Sequence, residues 1–78
     1  MREFYVQFHS LRDVLEFVTL ASKQTVKMDV GNDLFQVNAT SFMGLFALNC
    51  RMPQRVAVNC DQEKLENLLR IFDRFLVK

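Results

Sequence analysis

Residues 39–48 decide the fold, and they read Ala39-Thr40-Ser41-Phe42-Met43-Gly44-Leu45-Phe46-Ala47-Leu48. This stretch lacks the apolar-polar alternation that runs on both sides of it, and a serine stands just ahead of its apolar residues. A serine in that position accepts a hydrogen bond from a free backbone N–H at a helix start. The stretch therefore predicts a short helix that is capped by Ser41 and closed by Asn49, a residue tolerated in the left-handed conformation that ends helices.

Period-two alternation of apolar and polar residues on either side of this stretch predicts strands. Before it, residues 26–30 and 35–39 alternate around the turn sequence Gly-Asn-Asp at 31–33, which predicts a hairpin. After it, residues 56–60 alternate in the same way, and so do residues 4–8 near the N-terminus. We therefore expect four strands.

Apolar residues at three- and four-residue spacing predict two further helices. One begins at Ser10, with Asp13 three residues on in the Ser-x-x-acid pattern of a helix start, and ends near Lys23. The other follows Asp61, a second capping residue. The first predicted stripe comprises Leu11, Val14, Leu15, Val18 and Ala21, broadened by Phe17 and Leu20, and the last comprises Leu65, Leu68, Leu69, Phe72, Phe75 and Leu76.

These elements predict an α+β fold in the order β-α-β-β-α-β-α. Strands that are apolar on one face only, interspersed with amphipathic helices, indicate a four-stranded antiparallel sheet with three helices on one face and water on the other. The chain has 78 residues, half of them hydrophobic and eight of them Phe. We expect a single domain over residues 1–78, since this length supports one core and contains no repeat or low-complexity linker.

Composition excludes several classes of function. The net charge is only +1, and no block of Lys and Arg marks a nucleic-acid interface. No apolar run approaches the roughly 20 residues that span a bilayer, and the N-terminus lacks a signal-peptide core, so we expect a cytoplasmic protein without membrane association.

The sequence offers no assembled chemistry. Cys50, Cys60 and a single distant His lack zinc-ligand spacing, so no metal or cofactor is expected. In a reducing compartment two such cysteines are interpreted as buried thiols, and a disulfide between them is the alternative. A phosphate loop and an interpretable nucleophile–base pair are also missing. We therefore expect a protein that is not an enzyme.

The element order and residues 39–48 together resemble the HPr family, the histidine-containing phosphocarriers of the bacterial sugar phosphotransferase system. The family pattern Lys-Ser-Ile-Met-Gly-Val-Met-Ser-Leu is matched at Ser41, Met43, Gly44 and Leu48. An Ala-Ser-Lys found at the end of the first helix in some members is matched at residues 21–23, and the spacing between the two motifs needs no gap. The resemblance covers essentially the whole chain and implies the HPr-like open-faced sandwich.

The same register places Ser10 where the family carries its phosphoryl-accepting histidine. The family motif Gly-Ile-His-Ala-Arg-Pro reads Phe8-His9-Ser10-Leu11-Arg12-Asp13 in this chain. Relay between proteins needs a labile phosphorus–nitrogen bond, and a phosphoserine ester is too stable to pass its phosphoryl group onward. The structural interpretation of Ser10 is a helix cap, and His9, displaced by one residue, is the alternative acceptor.

For Ser41 and its surroundings the resemblance implies regulation and docking. In Gram-positive relatives the matching serine is phosphorylated by HPr kinase with ATP and then supports recruitment of a transcriptional regulator. Such a phosphate would add nearly two negative charges at a helix start, which favours them. Positions through which the family docks its partners are matched by Arg12, Leu15, Phe42, Met43 and Phe46. We expect the side chains of Phe42, Met43 and Phe46 to be at least partly exposed, with Leu45 and Leu48 inside.

Three hypotheses follow. The leading one is a regulatory or docking module that does not relay phosphoryl groups and is controlled by phosphorylation of Ser41. The second is a working phosphocarrier that uses His9 and couples to enzyme I. The third is a structural domain that forms a homodimer through Phe42, Met43 and Phe46, or through strand edges, without phosphorylation.

Overall fold

The computed structural model describes residues 1–48 and 52–77. In chain order the elements are β1 (Arg2–Val6), α1 (Leu11–Ser22), β2 (Met28–Gly31), β3 (Gln36–Asn38), α2 (Phe42–Phe46), β4 (Gln54–Val58), α3 (Gln62–Ile71) and a 3-10 turn (Asp73–Phe75). This order confirms the predicted α+β fold with four strands and three helices. The helix stop predicted at Asn49 and the thiol of Cys50 lie outside the described residues.

The four strands form one antiparallel sheet in the order β1-β4-β2-β3. Phe4 of β1 lies opposite Val56 of β4, which in turn lies opposite Val30 of β2, and all three side chains are buried on the helix side. Alternate residues such as Glu3 and Tyr5 are exposed on the other face. The sheet is therefore covered by helices on one face only, as the alternation predicts.

Aromatic rings fill the core between the sheet and the helices. The ring of Phe17 on α1 lies 4.9 Å from that of Phe72, 5.1 Å from Phe8 and 5.6 Å from Phe75, measured between centroids. All four side chains are almost completely buried. Edge-to-face and tilted contacts at these distances add to the free energy gained from burial alone, so α1 is anchored through Phe17.

Part of the predicted α1 stripe was wrong. Leu11 and Leu15 are half-exposed, whereas Val14, Phe17 and Ala21 form the buried face. The large Phe17 ring turns the helix toward the aromatic core and leaves the two leucines on the solvent side.

The hairpin is wider than predicted. The amide carbonyl of Asn32 accepts hydrogen bonds from the backbone N–H groups of Leu34 and Phe35, so the turn extends to residue 35 and Phe35 is half-exposed rather than inward-facing. Gly31 permits this turn because a Cβ there would lie 2.1 Å from the carbonyl oxygen of Phe35.

The C-terminal segment also departs from the predicted helix. The chain leaves the α-helical conformation after Ile71, and Leu76 pairs with Val6 in an isolated antiparallel bridge beside β1. The N–H of Gln7 donates to the carbonyl of Phe75 at 2.9 Å, and the N–H of Val77 donates to that of Tyr5 at 3.0 Å. The pairing of β1 with β4 stops at Val6 opposite Gln54, so Phe8, predicted within the first strand, is buried just beyond it.

Candidate functional site

The start of α1 contains two of the residues singled out from the sequence. The hydroxyl oxygen of Ser10 accepts a hydrogen bond from the N–H of Asp13 at 3.2 Å, which makes Ser10 the N-cap as predicted. The carboxylate of Asp13 reaches back past the cap and accepts the backbone N–H of His9 at 2.9 Å. Two donors at this helix start are therefore satisfied by side chains of the chain itself.

Arg74, from the 3-10 turn, holds the same carboxylate from the other side. Its Nη2 lies 2.6 Å from Oδ1 of Asp13 and 2.9 Å from Oε2 of Glu16, one turn further along α1. The guanidinium carbon lies 4.4 Å from the centroid of the Phe75 ring, so the aromatic core fixes its position. The Asp13 side chain is only 17% exposed. Its ion pair with Arg74, which we call the clamp, joins two residues that are 61 positions apart in the sequence.

The electrostatics of Asp13 follow from these contacts. The hydrogen bond from the His9 N–H lowers the pKa of Asp13 below its usual range, and the hydrogen bond and charge of Arg74 lower it further, against the opposing effect of burial. Asp13 is therefore an anion at neutral pH, and its charge lies at the positive end of the α1 dipole.

His9 and Arg12 flank this cluster. His9 is exposed, and its backbone is fixed to Asp13. The Arg12 side chain is 85% exposed and meets Glu16 only at 3.9 Å, so its guanidinium is available to a partner.

The start of α2 has the same cap but a different setting. The hydroxyl oxygen of Ser41 accepts the N–H of Gly44 at 3.1 Å, and its own N–H donates to the carbonyl of Asn38 at 2.9 Å. The amide oxygen of Asn38 also accepts the N–H and hydroxyl of Thr40. Ser41 is exposed, and the first turn of α2 contains no acidic residue.

The sequence-predicted docking residues lie on α1 and α2, two helices that pack against each other. Met43 is 73% exposed, Phe46 55% and Leu15 48%, while Leu45 and Leu48 are buried, as expected. Phe42 is half-buried with its ring 6.0 Å from that of Phe46. For the five residues predicted to dock partners we use the name docking surface: Arg12, Leu15, Phe42, Met43 and Phe46.

Sequence reasoning missed Arg74. Asp13 and Glu16 are spaced to share one face of a helix, and that spacing could have indicated a common cation. Which arginine supplies it depends on the course of the chain after α3, and the sequence predicted a continuing helix there.

Ligand-forming clusters are not apparent elsewhere. Within residues 1–48 and 52–77, no group of three or more His, Cys, Asp or Glu side chains could hold a metal ion. No helix in the same ranges is long and apolar enough to cross a membrane. Cys60 is a half-buried free thiol.

Comparisons with known proteins found a matching protein family and a similar solved structure. Residues 9–77 match the family model PTS-HPr, described as the PTS HPr component phosphorylation site. The solved structure of HPr-C-His from Thermoanaerobacter tengcongensis is similar, with a TM-score of 0.70 and 25% sequence identity over 94% of this chain and 92% of that one. No curated protein sequence matches the chain.

Proposed function

The chain belongs to the PTS HPr family, and we propose that it serves that family as a docking and regulatory module that does not relay phosphoryl groups through a histidine. The observation that carries the proposal is the filled start of α1. Ser10, at the position of the family's phosphoryl-accepting histidine, is a helix cap, and the Asp13 carboxylate with its Arg74 clamp lies beside it.

The chemistry of Ser10 supports this reading. Relay requires an imidazole, whose phosphorus–nitrogen bond is labile enough to pass the phosphoryl group to the next protein. A phosphorylated Ser10 would instead be a stable ester beside the Asp13 carboxylate, and the two anions would repel each other. Independent catalysis is not part of the proposal, since the module acts through protein partners.

The start of α2 supports the regulatory part. Ser41 is exposed, and the residues on either side of it in the sequence are uncharged. A phosphate on its oxygen would lie at the positive end of α2, whose first turn has no acidic residue to repel it. We propose HPr kinase as the modifying enzyme and a transcriptional regulator as the recipient, both in the cytoplasm. Enzyme I is the partner that the alternative, relay through His9, would need.

The docking surface supplies the means of recognition. Exposed Met43 and Phe46 on α2 and half-exposed Leu15 on α1, the helix that packs against it, supply the apolar side chains that transient protein interfaces use. Arg12 is the charged residue of the docking surface and can pair with an acidic group of the partner.

The test of phosphorylation is intact-protein mass spectrometry after two incubations, one with enzyme I and phosphoenolpyruvate and the other with HPr kinase and ATP. We expect an ATP-dependent gain of one phosphate that is lost in Ser41→Ala and retained in Ser10→Ala, which removes the equivalent cap from α1. An acid-labile gain in the first tube that is lost in His9→Ala would establish relay and overturn the proposal. No gain with ATP would remove Ser41 control.

The test of docking compares two apolar-to-acidic substitutions. We expect Met43→Glu to weaken binding to HPr kinase by about tenfold or more, because it places a charge on the most exposed apolar side chain of the docking surface. The matched control is Leu34→Glu in the hairpin turn, where the side chain is 97% exposed and is not one of the docking-surface residues. Equal binding by the two variants would argue against the docking surface, and self-association of the wild type that Met43→Glu abolishes would favour the homodimer.

A further inference from the structure

Two donors from distant parts of the chain bind one carboxylate at the start of α1. The backbone N–H of His9 and the guanidinium of Arg74 both contact Asp13, which lies in the first turn of the helix, at the positive end of its dipole. Together they are the set of donors that binds a phosphate-class anion, and here the bound anion is a side chain of the chain itself.

We propose that Asp13 is a built-in counter-anion that closes the start of α1 to phosphate-class anions, with Arg74 as the residue that holds it in place. A second anion brought to these donors would have to displace the carboxylate or lie close to it, and charge repulsion opposes both. The inference deepens the proposed function and rests on it for its biological meaning, because it identifies what prevents phosphoryl chemistry at Ser10 and at His9.

The clamp is structural as well as electrostatic. Arg74 lies on the ring of Phe75, which is buried in the aromatic core against Phe17, so the guanidinium cannot swing away without losing this contact. It also binds Glu16, which keeps a second carboxylate beside the site. Removing the Asp13 charge should therefore leave the cation in place, held by Phe75 and Glu16, and free the donors that Asp13 now occupies.

The matched control is the start of α3. Asp61 caps that helix by accepting the N–H of Lys64 at 2.8 Å, so it is a carboxylate at a helix start, as Asp13 is. Among the described residues its carboxylate forms no ion pair with an arginine. Asp61→Asn thus removes one negative charge from a helix start without exposing a clamped cation.

The experiment is a titration with sodium sulfate and with inorganic phosphate, followed by the amide resonances of residues 9–13 at the start of α1 and 61–64 at the start of α3, against sodium chloride at equal ionic strength. The variants are the wild type, Asp13→Asn, Asp13→Ala, Asp61→Asn and the double variant Asp13→Asn with Arg74→Gln. Asn keeps the size of the side chain and Ala opens the space, so the test stands when only one of them folds, which the dispersion of the spectrum shows.

We expect saturable shifts at residues 9–13 with sulfate and phosphate in the Asp13 variants, with affinity at least about tenfold higher than in the wild type, Asp61→Asn or the double variant. Anion binding by the wild type as tight as by Asp13→Asn, or none by either Asp13 variant, would overturn the inference. Equal shifts at residues 61–64 in Asp61→Asn would show that any vacated helix start suffices and would overturn the role of Arg74. None of these outcomes depends on kinase or enzyme I, so failure here is distinct from failure of the proposed function.

Discussion

The first turns of α1 and α2 share one local device and differ in what surrounds it. In each, a serine oxygen accepts the N–H three residues on, at 3.2 Å for Ser10 and 3.1 Å for Ser41. The first turn of α1 adds Asp13 and its arginine, whereas that of α2 is uncharged. The comparison teaches that two identical caps can lie in opposite electrostatic settings: a phosphate on Ser10 would lie beside the Asp13 carboxylate, whereas the first turn of α2 has no acidic residue beside Ser41.

The largest expected effect on α1, and so on its comparison with α2, comes from removing the Phe17 ring that packs α1 against the core. Phe17→Ala should cost about 3–5 kcal/mol, because it deletes a fully buried ring and leaves a cavity among three other rings. A core in a chain of this size supplies only about 3–5 kcal/mol in total, so most molecules should unfold.

Urea unfolding followed by circular dichroism checks this prediction. The matched control is Phe46→Ala, which removes the same side chain from the exposed docking surface and should change the free energy of unfolding by about 0.5 kcal/mol or less. Similar losses in the two variants would mean that α1 is not anchored through Phe17.

A finer test compares the two caps directly. Ser10→Ala and Ser41→Ala should each lower the free energy of unfolding by about 1 kcal/mol, because each leaves one backbone N–H at a helix start without its acceptor. Thermal and urea unfolding of the pair measure the difference. A loss confined to Ser10→Ala would show that the cap of α2 contributes nothing to stability and that Ser41 is present for another reason.

The smallest expected effect is a change in how the free energy of unfolding depends on pH when Asp13 is replaced. Because the pKa of Asp13 is lowered in the folded state, its contribution is present above the usual carboxyl pKa of the unfolded chain and is lost as the pH falls through the folded-state pKa. Asp13→Asn should therefore flatten the acid side of the stability profile and leave the profile above neutral pH parallel to that of the wild type.

Unfolding midpoints between about pH 2 and 7 measure this effect. Arg74→Gln is the matching variant, because removing the cation should raise the pKa of Asp13 toward its usual range. The acid side of its stability profile should then lie closer to that of Asp13→Asn than the wild-type profile does. An unchanged acid limb in both variants would contradict the clamp.

Most of the fold could be predicted from local sequence patterns. Alternation in short strands and three helix caps were readable because each depends on residues a few positions apart, and Ser10, Ser41 and Asp61 all cap as predicted. The predictions of burial failed where contacts between distant residues override local spacing. In α1, for example, Phe17 packs into the aromatic core and Leu15 lies on the exposed side of the helix.

The candidate site was less predictable than the fold for the same reason. The exposure of Met43 and Phe46 followed from a resemblance together with helical spacing, whereas the position of Arg74 depends on a 3-10 turn that breaks the predicted last helix. Phosphorylation of Ser41 and docking remain predictions that need the experiments above.

The short bridge between Val6 and Leu76 affects how the protein behaves when it is concentrated. An open strand edge is a template for pairing with another molecule, and it is a common origin of aggregation. Here the C-terminal residues pair with the end of β1 around Val6, which shortens that open edge, and the opposite edge strand, β3, is only three residues long. The fold can therefore leave apolar side chains of α2 exposed while offering only short strand edges for pairing between molecules.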